Sequence, residues 1–205
     1  MIIDTNDSCL GKSADLTSMH VDTVGRYYRD KTHPSWKITK AEAQELSHAG
    51  IKIFMVFEDY GKAAELTLTV DQGKKDATSA INQARAIGQP EGSAIYFAVE
   101  GLPNGYKAAD LPRIRDYFSG IKQVIGGKYA IGAYGDGLVC KTVLDENICK
   151  YTWLPAASTS FAGTKEFLAK WRWSLAQLGP LDIQASGLSI DINAANGDFG
   201  AFAVP

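Results

Sequence analysis

Cysteine and histidine are scarce in this sequence, neither sign of charge dominates, and no long apolar run occurs. The three cysteines, Cys9, Cys140 and Cys149, and the three histidines, His20, His33 and His48, share no ligand spacing, which disfavours a zinc enzyme. So few thiols, in odd number, exclude a disulfide framework. Cys140 and Cys149 could pair across a short loop. The favoured reading is that they stay reduced and that folding needs no disulfide, because 205 residues bury a large core without one. The 21 basic residues against 23 acidic ones give a net charge of −2, which supplies no field to gather nucleic acid or an anionic membrane. Apolar stretches such as Ala94–Val99 are of strand length, far below the ~20 residues that cross a bilayer. No membrane span and no nucleic-acid partner are expected.

Other signatures are missing too. The opening Met1-Ile2-Ile3-Asp4 carries no positively charged segment, apolar core or cleavage site. No signal peptide is therefore expected; export would be leaderless, by phage release, or follow removal of a leader. There is no Gly-x-Ser-x-Gly elbow, phosphate-binding loop or dinucleotide fingerprint. The run from Gly132 to Gly137 places Tyr134 and Asp136 where a phosphate would approach, so it reads as a strand end. Cys9 and His20 match no nucleophile arrangement. Neither a metal nor an organic cofactor is expected.

What the chain does contain is alternation. Runs rich in Ile, Val, Tyr and Phe at 2–4, 23–28, 51–58, 93–100, 129–134, 151–156, 173–177 and 188–192 read as eight strands. Helices fit between several of them. One spans 39–49, opened by the capping box Thr39-Lys40-Ala41-Glu42 and closed by Gly50. Others span 73–87, closed by Gly88, and 111–125, closed by Gly126. Strand and helix in turn predict an α/β fold, a single compact (β/α)8 barrel of TIM type over residues 1–205, with some short or missing helices. An open doubly wound sheet ranks second, since no glycine fingerprint follows the first strand.

An acid falls at or just after the end of four of these strands: Asp4, Glu58, Glu100 and Asp191. In a barrel those ends converge on one face, where active sites of the fold lie. Paired carboxylates suit glycoside hydrolysis, one protonated to donate to the leaving oxygen and one ionised to attack or to stabilise positive charge. Glu100 ends the most apolar run, Ala94 to Val99, and burial there would raise its pKa toward that of a general acid. Tyr28, Tyr60, Tyr134, Asp136, Trp153 and Gln177 fall on the same inferred face. Aromatic rings pack against the C–H faces of sugars, and carboxylates and amides meet their hydroxyls, so a glycan is the expected partner.

These residues also carry a resemblance. The start Ile2-Ile3-Asp4, the segment Gly25-Arg26-Tyr27-Tyr28, the run from Ile38 to Ile51, the strand Ile95 to Glu100, Gly132-Ala133-Tyr134-Gly135 and the end Ile190-Asp191-Ile192-Asn193 together resemble the glycoside-hydrolase-like barrels of domain-of-unknown-function family 1906. Those barrels are similar to glycoside hydrolase family 25, the muramidases that cut peptidoglycan. The resemblance covers nearly the whole chain in order. It implies a catalytic Glu at Glu100, supporting acids at Asp4 and Asp191, and Tyr134 and Gln177 positioning an N-acetyl sugar. The protein is expected to be a monomer that acts on the cell wall. One departure stands out: the muramidase pattern has Asp two residues before that Glu, and here the position is Ala98. Either the second carboxylate role moves to Asp4, Glu58 or Asp191, or the barrel binds glycan without cutting it. A glycosidase for another polysaccharide is a further alternative.

Overall fold

The computed structural model describes residues 1–30, 36–59, 67–100, 102, 104–181 and 187–205. Eight strands, β1 (Ile2–Asp4), β2 (Thr23–Tyr28), β3 (Lys52–Phe57), β4 (Ala94–Val99), β5 (Ala130–Gly135), β6 (Tyr151–Pro155), β7 (Leu175–Leu181) and β8 (Ile190–Ala195), close into a barrel in chain order. Six helices lie among the described residues: α1 (Ser13–Ser18), α2 (Lys40–His48), α3 (Val70–Ile87), α4 (Leu111–Ile125), α5 (Gly137–Asp145) and α6 (Thr164–Ala169). The barrel expected from the strand pattern is present. It departs from that expectation in its last strand, because β8 runs antiparallel to both β7 and β1. Only residues 182–189 separate β7 from β8, too few for the crossover of a dozen or more that a parallel pair requires.

The helices begin and end where their caps dictate. Thr39 accepts the Glu42 N–H and opens α2, while Thr69 accepts the Gln72 N–H and starts α3 at Val70, three residues ahead of the expected Gly73. Gly88 closes α3 with a positive φ of 85°, a conformation that glycine adopts without penalty. The capping box of α2 is only half formed. The Glu42 carboxylate instead accepts from Arg26 Nε at 2.7 Å and from the Cys9 N–H at 2.9 Å, and both charged side chains of the pair are fully buried. All three cysteines are free, buried thiols.

Alternate strand residues fill the two sides of the sheet. Outward side chains such as Val24, Ile53, Met55, Ile95 and Phe97 pack under the helices. Inward ones, including Phe54, Tyr96, Tyr151 and Trp153, fill the barrel axis. Phe54 meets Trp153 edge-on at 5.2 Å, and Tyr96 lies 6.1 Å from the same indole. Gly25 and Gly132 make room for these rings, since a Cβ would stand 2.3 Å from Phe54 at the first and 2.4 Å from Tyr96 at the second. Phe199 closes the lower end, stacked edge-on against Phe54 and accepting the Tyr96 hydroxyl through its carbonyl. The axis is a packed core rather than a pore, so polar groups can collect only at the opposite mouth.

Candidate active site

The inward parity that places Phe54, Tyr96 and Trp153 in the core brings the acids to the mouth. Asp4 follows Ile2, Glu58 follows Val56, and Glu100 follows Ala98 on the inward side. Asp191 reaches the same place from the other direction. It lies at the start of the reversed β8, opposite Asp4 in register, and not at the end of a parallel strand.

A hydrogen-bonded network ties these groups together. The Tyr134 hydroxyl donates to Gln177 Oε1 at 2.8 Å. This turns Gln177 Nε2 toward Asp4, at 3.1 and 3.2 Å from its two oxygens, and toward Asp191 at 3.4 Å. Asn193 Nδ2 donates to Asp4 at 2.7 Å and Tyr27 donates to it at 3.1 Å. The orientation of Asn193 is fixed independently, because its Oδ1 accepts from Trp153 Nε1 at 2.8 Å and an indole nitrogen can only donate.

Burial sets the electrostatics. Asp4 is 2% exposed, and burial pushes its carboxyl up to about 7, against the pull of hydrogen bonds from Asn193 and Gln177 and with a push from the Asp191 charge. Glu100 is also raised to about 7, first by burial and then by the neighbouring Glu58 charge, against the nearby Tyr134 hydroxyl and the Arg29 charge. Burial raises Glu58, opposed by Arg29, and it raises Asp191 as well. The two environments differ in kind. Asp4 meets the Asp191 charge but also three side-chain donors that favour its anion, whereas Glu100 meets two acids, Glu58 and Asp4, that favour its proton.

Four of the expected aromatic and polar contacts need correction or fall out of view. Tyr28 is not in the cleft. It has outward parity, is 0% exposed and donates to Gln89 Oε1 at 2.6 Å beneath the helices. Trp153 lies below the site, fully buried and 4.3 Å from the Tyr134 ring, where it orients Asn193 and has no open face for a sugar. Asp136 borders the cleft, but its carboxylate is occupied as the cap of α5, accepting from the Val139 N–H at 3.0 Å and the Tyr106 N–H at 2.8 Å. Tyr60 lies outside the described residues. Beside Glu100 opens a cavity of about 310 Å³ walled by Tyr106, Asp136, Pro155, Ser158 and Phe161.

Three residues of the site escaped the sequence reading: Tyr27, Arg29 and Asn193. Tyr27 and Arg29 were legible in principle, since counting in twos from Gly25 points both inward. Asn193 lies two residues from Asp191 and so shares its side of the sheet, but its depth below the mouth depends on the reversal of β8.

The sequence model of the Rv2525c-like, glycoside hydrolase-like domain family matches residues 14–186. The chain belongs to that family. A curated relative is the uncharacterized protein YbfG of Bacillus subtilis, 30% identical over 206 residues. The match covers 93% of this chain but 28% of YbfG, so the chain spans less than a third of that relative's length. Among solved structures, the Tat-secreted protein Rv2525c of Mycobacterium tuberculosis, in complex with L-tartrate, superposes with a TM-score of 0.82 at 18% identity, covering 98% of this chain and 97% of that one. A muramidase from Acremonium alcalophilum superposes at 0.59 and 11% identity, covering 97% and 95%. These likenesses show that the chain shares its barrel fold with Rv2525c and with that muramidase. Among the described residues no group of His, Cys, Asp and Glu could hold a metal ion, and no helix is long and apolar enough to cross a membrane.

Proposed function

We propose that the protein is a peptidoglycan-directed glycoside hydrolase of muramidase type, cutting the β-1,4 glycan backbone with Glu100 as general acid. The observation that carries this reading is the pairing of two unlike carboxyls at one mouth. Glu100 keeps its proton into the neutral range and can deliver it to the departing glycosidic oxygen. Asp4 accepts hydrogen bonds from Tyr27, Gln177 and Asn193, which favour its anion against burial, and once ionised it faces the positive charge that develops on the sugar. Asp191 shares Gln177 with Asp4 and supports the same charge. Glu58 tunes Glu100 through its own charge. The cavity beside Glu100 takes a neighbouring sugar ring between Tyr106 and Phe161. One chain supplies every group named, so a monomer suffices for the reaction. A cell-wall substrate requires delivery outside the cytoplasm, by export or by phage release.

Ala98 supports a second reading, a barrel that binds glycan without cutting it. Ala98 points inward beneath Glu100 and is packed in the core, so no carboxylate stands where the muramidase pattern has one. Glu100→Gln separates the two readings, because it keeps size and hydrogen bonding but removes the transferable proton. Under the hydrolase reading, sugar release from peptidoglycan falls by at least ~10²–10⁴-fold while glycan binding persists. Saturable binding by the unaltered protein with no release of sugar would instead establish the binding barrel.

A further inference from the structure

Arg29 stands at the rim of the cleft with part of its hydrogen-bonding capacity unused. It follows β2 with the inward parity of Gly25 and Tyr27, and it is 5% exposed. Its guanidinium lies 4.6 Å from the Tyr27 ring centre and 5.5 Å from that of Trp36. Nη2 donates to Asn6 Oδ1 at 2.7 Å and reaches Glu58 only at 3.5 Å. Nε is buried and has no hydrogen-bond partner, which is true of no other buried side-chain nitrogen or oxygen among the described residues.

An arginine placed only to neutralise Glu58 would form a short, two-pronged pair with it, the geometry that planar guanidinium and carboxylate share. This one touches Glu58 through a single long contact and leaves Nε idle. Buried donors are normally satisfied, and an idle one marks a place where a further acceptor belongs. The two rings hold the plane of the guanidinium without consuming any of its N–H groups. Trp36, 39% exposed, carries this arrangement to the surface of the cleft.

We propose that Arg29 receives a carboxylate borne by the sugar chain, so that the protein selects acidic glycans over neutral ones. This rests on the reading of the cleft as a glycan site and adds to it the chemical feature that is recognised. The carboxylate completes the coordination of Arg29 by accepting from its idle Nε. Burial helps the cleft tolerate another anion, because Glu100 holds its proton into the neutral range. Two sugars carry the required group: N-acetylmuramic acid, through its lactyl ether when no peptide is attached, and a uronic acid, through C6.

The test is calorimetric binding to the Glu100→Gln protein, which removes turnover from the measurement. The probes are a peptide-free peptidoglycan tetrasaccharide, the same compound as its methyl ester, chitotetraose and an oligoglucuronate. The free acid is expected to bind at least ~10-fold more tightly than its ester or than chitotetraose, about 1.4 kcal/mol, and Arg29→Met is expected to abolish that difference. A stronger response to the oligoglucuronate supports the proposal and assigns the carboxylate to C6. Equal affinity for acid and ester, or a difference that survives Arg29→Met, overturns it. Should Arg29→Met fail to fold, Arg29→Lys decides: it keeps the charge but not the planar fork, and an unchanged acid-to-ester ratio also overturns the proposal. Because binding alone is read, a protein that cuts nothing can still pass. Conversely, a protein that digests peptidoglycan yet binds acid and ester alike refutes only the role given to Arg29.

Discussion

Asp4 and Glu100 illustrate what burial does to a single carboxyl group. Each is raised to about 7 in the folded protein, whereas in the unfolded chain carboxyls titrate near ~4. Between about pH 4 and pH 7 the folded state therefore holds more protons than the unfolded one, and stability falls as the pH rises. Glu100→Gln removes one of these groups. The variant is expected to lose less stability than the unaltered protein between about pH 5 and pH 8, and to gain of order 1–3 kcal/mol on it at the upper pH. Denaturant unfolding at both pH values measures this. Parallel pH profiles for the two proteins would show that Glu100 does not hold a raised pKa. The same titration limits the chemistry, because the proton that Glu100 transfers is lost above neutrality.

Elements explain which residues face the cleft and which do not. The period of two in β2 sends Gly25, Tyr27 and Arg29 inward and sends Arg26 and Tyr28 outward. Tyr28 was expected in the site because it ends a strand, yet the end of a strand matters less than the side from which it is counted. The hydrophobic pattern of β2 hides this, since both of its faces are buried. At α2, the signal in Thr39-Lys40-Ala41-Glu42 located the start of the helix correctly. It could not reveal that Glu42 bonds to Arg26, a partner on another element. Removing one member of a fully buried ion pair strands the other charge, at about 3–5 kcal/mol. Glu42→Gln is expected to destabilise the fold by that order, read by urea unfolding at neutral pH. A loss below ~1 kcal/mol would show that Arg26 finds water or another acceptor.

At the scale of the whole molecule, the order of eight strands was legible because each apolar run is bounded by turn residues or a capped helix. The direction of β8 was not. A short apolar segment such as Leu188 to Ile192 reads the same either way, and only the number of residues joining it to β7 decides its sense. Asp191 nevertheless arrives at the mouth, because the reversed strand starts where the parallel ones end. Asp4, Glu58, Glu100 and Asp191 thus converge from almost the full length of the chain on one end of a barrel whose other end is sealed by Phe199. The activity proposed for this mouth is hydrolysis of the peptidoglycan backbone. Mass spectrometry of the soluble products from purified peptidoglycan tests it most directly, since the new reducing end identifies the bond that was cut. Fragments ending in reducing N-acetylmuramic acid are expected from the unaltered protein and not from Glu100→Gln. An absence of fragments, or fragments ending in reducing N-acetylglucosamine, would contradict a muramidase.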